Sequence, residues 1–451
     1  MSDSVRYDLG RQAEVSEQSS RPLALVQRAG WGVADQALSS LTNFALSVVV
    51  ARALGPAGFG AFTLVFATYT LALSISRSVT SEPLLVHYSS PPHVTWHAGS
   101  ARATGAALLI GVGLGLCCVL VGWITTGVLT RPFVALGLTL PGLLLQDCWR
   151  YAFFARGKGI SAFANDLVWA LVLFPILFIV LRSDQHAATW IVLLGWGGAA
   201  TAAALFGVRQ SRAVPEPQRL LHWLREERAL IPRFLGEAIA VSGTGQVTVY
   251  SVGALAGLAA LGSLRAGQLL FGPIQVLFMG ISAIAVPELV RARQSSKARL
   301  LRTSRLFSLT LAGAALLWGA AVLALPSSAG VALLGLAWQP ARLLAVAVMV
   351  SWVASGLIAG AAAGLRALAA ARQSLAARVV GSVLAVAGGV IGAITYGARG
   401  AAWGLALAVW IEATVWWWQY ARTLERYATA GKAPMEASQL SAEPRTLVQP
   451  C

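Results

Sequence analysis

Ala51-Arg52-Ala53-Leu54-Gly55-Pro56-Ala57-Gly58-Phe59-Gly60-Ala61-Phe62 joins the first two long apolar runs of the chain. A worn copy, Ala254-Leu255-Ala256-Gly257-Leu258-Ala259-Ala260-Leu261-Gly262-Ser263-Leu264, follows about 200 residues later. The first copy continues through an apolar segment to Glu82-Pro83-Leu84, the second through a similar one to Pro287-Glu288-Leu289. The spacing reads as two homologous halves of a polytopic membrane protein, each opening with a helix pair joined by a tight turn.

Composition points the same way. With 57% hydrophobic and 12% charged residues, the 451-residue chain cannot clothe soluble domains in polar skins. Its 45 glycines would weaken soluble helices, whereas in a bilayer small residues let helix backbones approach closely. The 16 tryptophans suit membrane interfaces, as at Trp31, Trp149, Trp190, Trp338 and Trp416 to Trp418. A net charge of +16 would suit nucleic acid only on the basic face of a soluble domain. Here the basic residues lie between apolar runs, which points to membrane orientation and anionic lipid, and not to nucleic acid. Cys117, Cys118, Cys148 and Cys451 form no disulfide or zinc framework.

Residues 1–28 are polar, lack a leader-like apolar core with a cleavage site, and read as a disordered cytoplasmic tail. Twelve apolar runs near bilayer-spanning length follow: 31–53, 60–80, 102–126, 133–154, 160–181, 188–208, 234–256, 263–286, 304–325, 341–363, 376–396 and 400–420. Loops on the side of the tail hold Arg102, Arg156, Lys158, the arginines of 209–233 and of 291–305, Arg366, Arg372 and Arg378. The opposite side shows only Arg52, Arg131, Arg182, Arg265, Arg342 and Arg399. This bias predicts an even number of spans with both termini in the cytoplasm. The expected layout is all-α: about 12 transmembrane helices in two parallel-related six-helix bundles, 29–208 and 234–421, around a central cavity. A basic cytoplasmic linker, 209–233, would join them as an interfacial amphipathic helix or a solvated strand of chain, and 422–451 would form a second tail.

Charged groups inside spans are costly and by default mark a cavity or a pathway. Asp35 lies one turn into the first span, and Asn43 near its middle. Arg77 stands near the inner end of the second. Asp147 and Arg150, three apart on the fourth, share a face and can pair. Asn165 and Asp166 enter the fifth span, Glu237 enters the seventh, Arg265 begins the eighth at its outer end, and Glu412 lies deep in the twelfth. Most of these would line a hydrated vestibule in the inner half of the first six helices. Against that stand blander roles: snorkelling for Arg77 and Arg150, neutralisation of an arginine by Asp35, and a structural ion pair for Glu412. Gly272-Pro273 can hinge the eighth span, and Gly356, Gly360 and Gly364 form a close-packing stripe on the tenth. His93 and His97, four apart beside His87, could imitate a metal pair but lack a third convincing ligand, so no metal is expected.

Several stretches resemble the polysaccharide-exporter branch of the multidrug, oligosaccharidyl-lipid and polysaccharide exporter superfamily. They are Leu54-Gly55-Pro56-Ala57-Gly58-Phe59-Gly60 with the helix ending at Glu82-Pro83, Trp149-Arg150-Tyr151-Ala152-Phe153-Phe154-Ala155-Arg156-Gly157-Lys158, Asn165-Asp166, and Arg265-Ala266-Gly267-Gln268 leading to Gly272-Pro273. The resemblance covers about residues 28–425. It implies paired six-helix bundles, a cavity opening alternately to either side, and undecaprenyl-pyrophosphate-linked oligosaccharide as cargo for cell-surface polysaccharide biosynthesis. It further implies that Arg77 and Arg265, backed by Arg150 and Asn43, receive the headgroup, while Asp35, Asp147, Asp166, Glu237 and Glu412 serve coupling or ion pairing. Membrane lipids and polysaccharide-assembly proteins would be its partners. A diphosphate in hydrocarbon needs cations and donors, and guanidinium grips phosphate oxygens in a fixed fork.

Two alternatives stand beside this reading. An ion-coupled multidrug or small-solute exporter of the same superfamily would rely on the acids and take amphipathic cations. A membrane glycan polymerase or ligase would need a substantial outer loop with acids, histidine or arginine, and the outer loops are short. No nucleotide-binding loop, nucleophile motif or metal ligand set is present, so neither catalytic residues nor cofactors are expected.

Overall fold

The computed structural model describes residues 3–89, 95–182 and 188–430, with side chains from Gly30 onward except at 240–242, 244, 283 and 428–430. The side chains of the expected N-terminal tail, the chain beyond 430, and His93 all lie outside this description. The helices are α1 (Asp3–Ser76), a π-turn (Arg77–Ser81), α2 (Glu82–Tyr88), α3 (Trp96–Ile124), α4 (Thr130–Ala155), α5 (Gly159–Arg182) and α6 (Thr189–Ser211). After them come α7 (Leu220–Glu226), α8 (Ile231–Leu255), α9 (Leu258–Leu269), α10 (Gly272–Ser295), α11 (Lys297–Ala324), α12 (Ser327–Leu334), α13 (Trp338–Ala367) and α14 (Ala371–Ala430).

Continuous on paper, α1 is a hairpin. Gly55 breaks it with φ 64° and ψ −173°, a conformation open to residues without a Cβ. A straight helix from Gly30 to Ser76 would run roughly 70 Å at 1.5 Å per residue, more than twice the hydrocarbon thickness. Instead Asp35 and Arg77, about equally far on either side of Gly55-Pro56, both meet one turn of α4 through Arg150 and Asp147. The two arms are therefore antiparallel. Gly257, the counterpart of Gly55 in the repeat, takes nearly the same conformation, φ 86° and ψ 166°, between α8 and α9. The duplication read from sequence thus reappears as a duplicated backbone turn.

A third reversal lies inside α14, at Tyr396 and Gly397 (φ 59°, ψ −135°). Its arms touch backbone to backbone: a Cβ on Gly392 would stand 2.0 Å from the Gly400 carbonyl oxygen. Among the described residues, nine helical segments are long and apolar enough to cross a membrane. Two of these reverse and cross twice, and the 25-residue α8 adds another, giving the twelve crossings predicted by the apolar runs. The protein is an all-helical multi-pass membrane protein.

By compactness the chain forms two units, Met1–Gly253 with Val331–Ala337, and Ala254–Gly330 with Trp338–Cys451. The division falls after α8, one helix later than the boundary drawn from sequence at 233/234. Hydrogen bonds explain why: Gln246 Nε2 donates to Thr70 Oγ1 at 2.9 Å, the Tyr250 and Thr68 hydroxyls meet at 2.9 Å, and Ser78 Oγ donates to the Phe234 carbonyl at 3.2 Å. The first unit buries Leu84, Trp96, Trp149, Phe153 and Trp223 in one cluster. The second buries Leu289, Ala361, Trp416 and Tyr420, and its glycine stripe brings Gly360 against the Ser304 carbonyl of α11.

Two expectations are corrected. Trp149, Trp338 and Trp416 are not interfacial; they are 0–2% exposed in the cores, whereas Trp31 and Trp418 remain exposed. Several indoles serve instead as internal donors: Trp96 Nε1 reaches the Ala152 carbonyl at 2.8 Å and Trp417 Nε1 that of Leu357 at 2.9 Å. Such a partner stabilises a buried indole where no water is available, although Trp149 and Trp338 Nε1 are buried without one. The 209–233 linker is not a solvated strand of chain. Its short helix α7 turns the wholly buried Trp223 into the first unit.

The glycine contact in α14 makes a direct prediction. Gly392→Ala forces the two arms apart and lowers the thermal unfolding midpoint in detergent, at a cost of about 1–3 kcal/mol, whereas Gly313→Ala, with open space around it, leaves the midpoint unchanged.

Candidate functional site: a buried ion cluster in the first unit

The hairpin of α1 and the fourth and fifth crossings bring the predicted polar groups of the first unit together. Asp35 comes from the first arm and Arg77 from the π-turn that ends the second. Gln146, Asp147 and Arg150 come from α4, and Asn165 and Asp166 from α5. Arg77 grips Asp147 with both ends of its fork, Nε to Oδ2 at 2.9 Å and Nη2 to Oδ1 at 2.6 Å, and its guanidinium carbon lies 5.1 Å from the centre of the Tyr151 ring. Arg150 donates through Nε to Asp35 Oδ2 at 2.6 Å and through Nη2 to Gln36 Oε1 at 3.2 Å, with Asp166 Oδ2 3.6 Å away.

The pairing therefore differs from the local one expected on α4. Asp147 and Arg150 share a face, but each takes a partner from another helix. The reason is geometric: an i, i+3 pair leaves two further acids and one further arginine uncompensated in a low-dielectric interior, whereas the exchanged pairs engage all of them. Sequence reasoning missed Gln146, which ties the cluster to α5 by donating to Asp166 Oδ1 at 2.8 Å and Asn165 Oδ1 at 3.3 Å. Its signal was a glutamine beside Asp147 in an otherwise apolar run. Asn165 in turn donates to the Ala203 carbonyl of α6 at 2.9 Å.

The cluster is not electrically closed. Three carboxylates, Asp35, Asp147 and Asp166, face two guanidinium groups. Asp35 Oδ1 and Asp166 Oδ2 are buried without a hydrogen-bond donor. Acids thus outnumber arginines by one inside the membrane-spanning bundle.

The other predicted site residues lie elsewhere. Asn43 is half-buried and donates to the Ser39 carbonyl of its own helix at 2.9 Å. Glu237 is exposed on α8, within electrostatic reach of Glu82. Glu412, in the second unit, accepts from Trp416 Nε1 at 3.0 Å and lies 3.8 Å from Arg378 Nη1, an ion-pair arrangement. The eighth crossing is interrupted at Leu270 and Phe271, just before Gly272 and Pro273, and Trp318 Nε1 caps the Leu270 carbonyl at 2.9 Å. Arg265 lies two turns into α9, roughly 10 Å along the axis from the Gly257 turn. Its side chain is exposed, its polar contact is a 3.4 Å approach to Gln268 of the same helix, and among the described residues no carboxylate pairs with it. Of the three arginines expected to meet a headgroup, Arg77 and Arg150 are thus already paired and Arg265 is not.

No protein-family model matches the chain, and no curated protein sequence does. Solved structures do. The lipid II flippase MurJ in an inward closed conformation superposes with a TM-score of 0.63 at 10% identity, over 92% of this chain and 93% of that one. An inward-facing multidrug resistance MATE family transporter of the MOP superfamily gives 0.59 at 15% identity, over 86% and 95%. A MATE transporter in complex with MaD3S gives 0.51 at 16%, over 89% and 96%. The chain has the fold shared by these MATE and MurJ transporters.

Removing one partner of a buried pair leaves the other stranded, while removing both does not. Asp147→Asn or Arg77→Gln alone is expected to cost on the order of 3 kcal/mol, read as a lowered unfolding midpoint in detergent. The double replacement Arg77→Met with Asp147→Leu should lie closer to the native protein than either single variant.

Proposed function

We propose that this protein moves a lipid-linked oligosaccharide, carried on undecaprenyl pyrophosphate, across the bacterial cytoplasmic membrane by alternating access, as a step in cell-surface polysaccharide biosynthesis. The observation that carries the reading is Arg265: an exposed guanidinium in a membrane crossing with, among the described residues, no acid to neutralise it. Such a group is costly unless an anion visits it, and a diphosphate offers the planar oxygen pair that guanidinium grips best. The lipid tail stays in the bilayer while the charged head crosses. The break before Gly272-Pro273 gives α9, which carries Arg265, a place to bend relative to α10.

A second reading has its own observation, the uncompensated carboxylate of the Asp35–Arg150–Asp166 group. In a flippase this group takes up a proton or a monovalent cation and couples transport to a gradient. In an ion-coupled drug or solute exporter it does the same for an amphipathic cation, and Arg265 becomes dispensable.

Reconstitution in liposomes with a fluorescent polyprenyl-diphosphate sugar separates the two. Arg265→Ala should slow translocation about ten- to hundredfold, the loss expected for a charge-assisted phosphate contact, with unfolding midpoint unchanged. Native rates in Arg265→Ala, together with gradient-driven efflux of an amphipathic cation that Asp166→Asn abolishes, would favour the exporter.

A further inference from the structure

Arg77 owes its place to an irregularity in its own helix. Over Arg77–Ser81 the backbone widens to a π-turn, closed by the Glu82 N–H bonding to the Arg77 carbonyl five residues back. Pro83 follows. Because proline has no N–H, the Val79 carbonyl four residues before it has no α-helical donor. Val79 is buried, so that carbonyl must be satisfied from outside the helix. The donor comes from the linker: Trp223 Nε1 reaches the Val79 carbonyl at 2.8 Å, and the Trp223 side chain is wholly buried.

The linker is held to this spot from several sides. Glu227 Oε1 lies 2.8 Å from His87 Nδ1 on α2. Glu226 pairs with Arg102 of α3, whose other nitrogen donates to the Tyr88 hydroxyl at 3.1 Å. The Glu216 N–H donates to the Ala101 carbonyl at 2.8 Å. Downstream of the π-turn, Leu84 and Tyr88 are locked into the core beside Trp96 and Trp149. Upstream, Arg77 is locked on Asp147. The extra residue of the π-turn lets both ends be seated at once. Since each helical residue turns about 100°, returning the segment to α-helical register would swing Arg77 off Asp147 or Leu84 and Tyr88 out of the core.

We infer that Trp223 is a positioning residue: by supplying the donor that Pro83 withholds, its indole holds the π-turn in the register that aims Arg77 at Asp147. When α7 lifts, the turn relaxes and Arg77 leaves its carboxylate. On the reading above, Arg77 then becomes a second guanidinium for the diphosphate, so the linker sets when the first unit offers its charge.

The test needs no substrate, so its failure is distinct from failure of the flippase reading. The full chain in lipid nanodiscs is compared in four forms: native, Trp223→Phe, Pro83→Ala, and both together. Two quantities are read: amide hydrogen exchange peptide by peptide, and modification of Arg77 by a dicarbonyl reagent followed by mass spectrometry. Trp223→Phe should raise both Arg77 modification and exchange over 80–88 about tenfold, the effect of one buried hydrogen bond, with native exchange in α3 and α4. Pro83→Ala restores an N–H to the preceding turn, so the double variant should return to near-native values. If Trp223→Phe misfolds, replacing Trp223 with β-(3-benzothienyl)alanine keeps the ring volume and removes only the N–H. Unchanged Arg77 modification, faster exchange spread equally through α3 and α4, or no rescue by Pro83→Ala would each overturn the assignment.

Discussion

A charge in hydrocarbon must be met by another charge, and in the first unit this demand decides where helices go. Arg77 and Arg150 would be intolerable in their spans alone. They are tolerated because the Gly55 turn folds the second arm of α1 back beside the first, so that both arms reach one turn of α4. Gln146 and Asn165 then extend the network to α5 and α6. Remove the reversal at Gly55 and Asp35 and Arg77 separate by the length of a helix. The network and the hairpin presuppose one another.

A second demand concerns backbone carbonyls. Apolar surroundings provide no water, so each carbonyl freed by a proline or a helix break needs a donor from within the protein. Trp223 serves Val79 ahead of Pro83, and Trp318 serves Leu270 ahead of Pro273. Both irregularities sit beside an arginine, Arg77 in one half and Arg265 in the other.

Much of this was legible beforehand, for reasons that can be named. Run length and the Gly55 repeat disclosed twelve crossings, because a bilayer imposes one length on every span. The polar residues of the cluster stood out, because an ionisable group among Leu, Ala and Val is conspicuous. Their partners did not. Asp147 and Arg150 looked like a pair on helical spacing, but partner choice depends on Asp35 and Arg77, brought in by tertiary folding. Trp149 and Trp416 looked interfacial, because composition cannot tell a tryptophan packed into a helical core from one that meets a headgroup. The docking of α7 was equally hidden: a stretch rich in arginine gave no sign that Trp223, flanked by Leu220 and Leu224, would be driven into the core. Arg265 stood out in the sequence because it lies on the side where basic residues are few.

The proposed reception of an anionic diphosphate head on Arg265 is tested most directly by native mass spectrometry of the intact protein with bound lipid. The protein should retain a polyprenyl-diphosphate sugar and lose most of that retention in Arg265→Gln, while the matching polyprenol without phosphate binds poorly to both. Equal retention of the phosphorylated and phosphate-free lipids, or retention unaltered by Arg265→Gln, would contradict it.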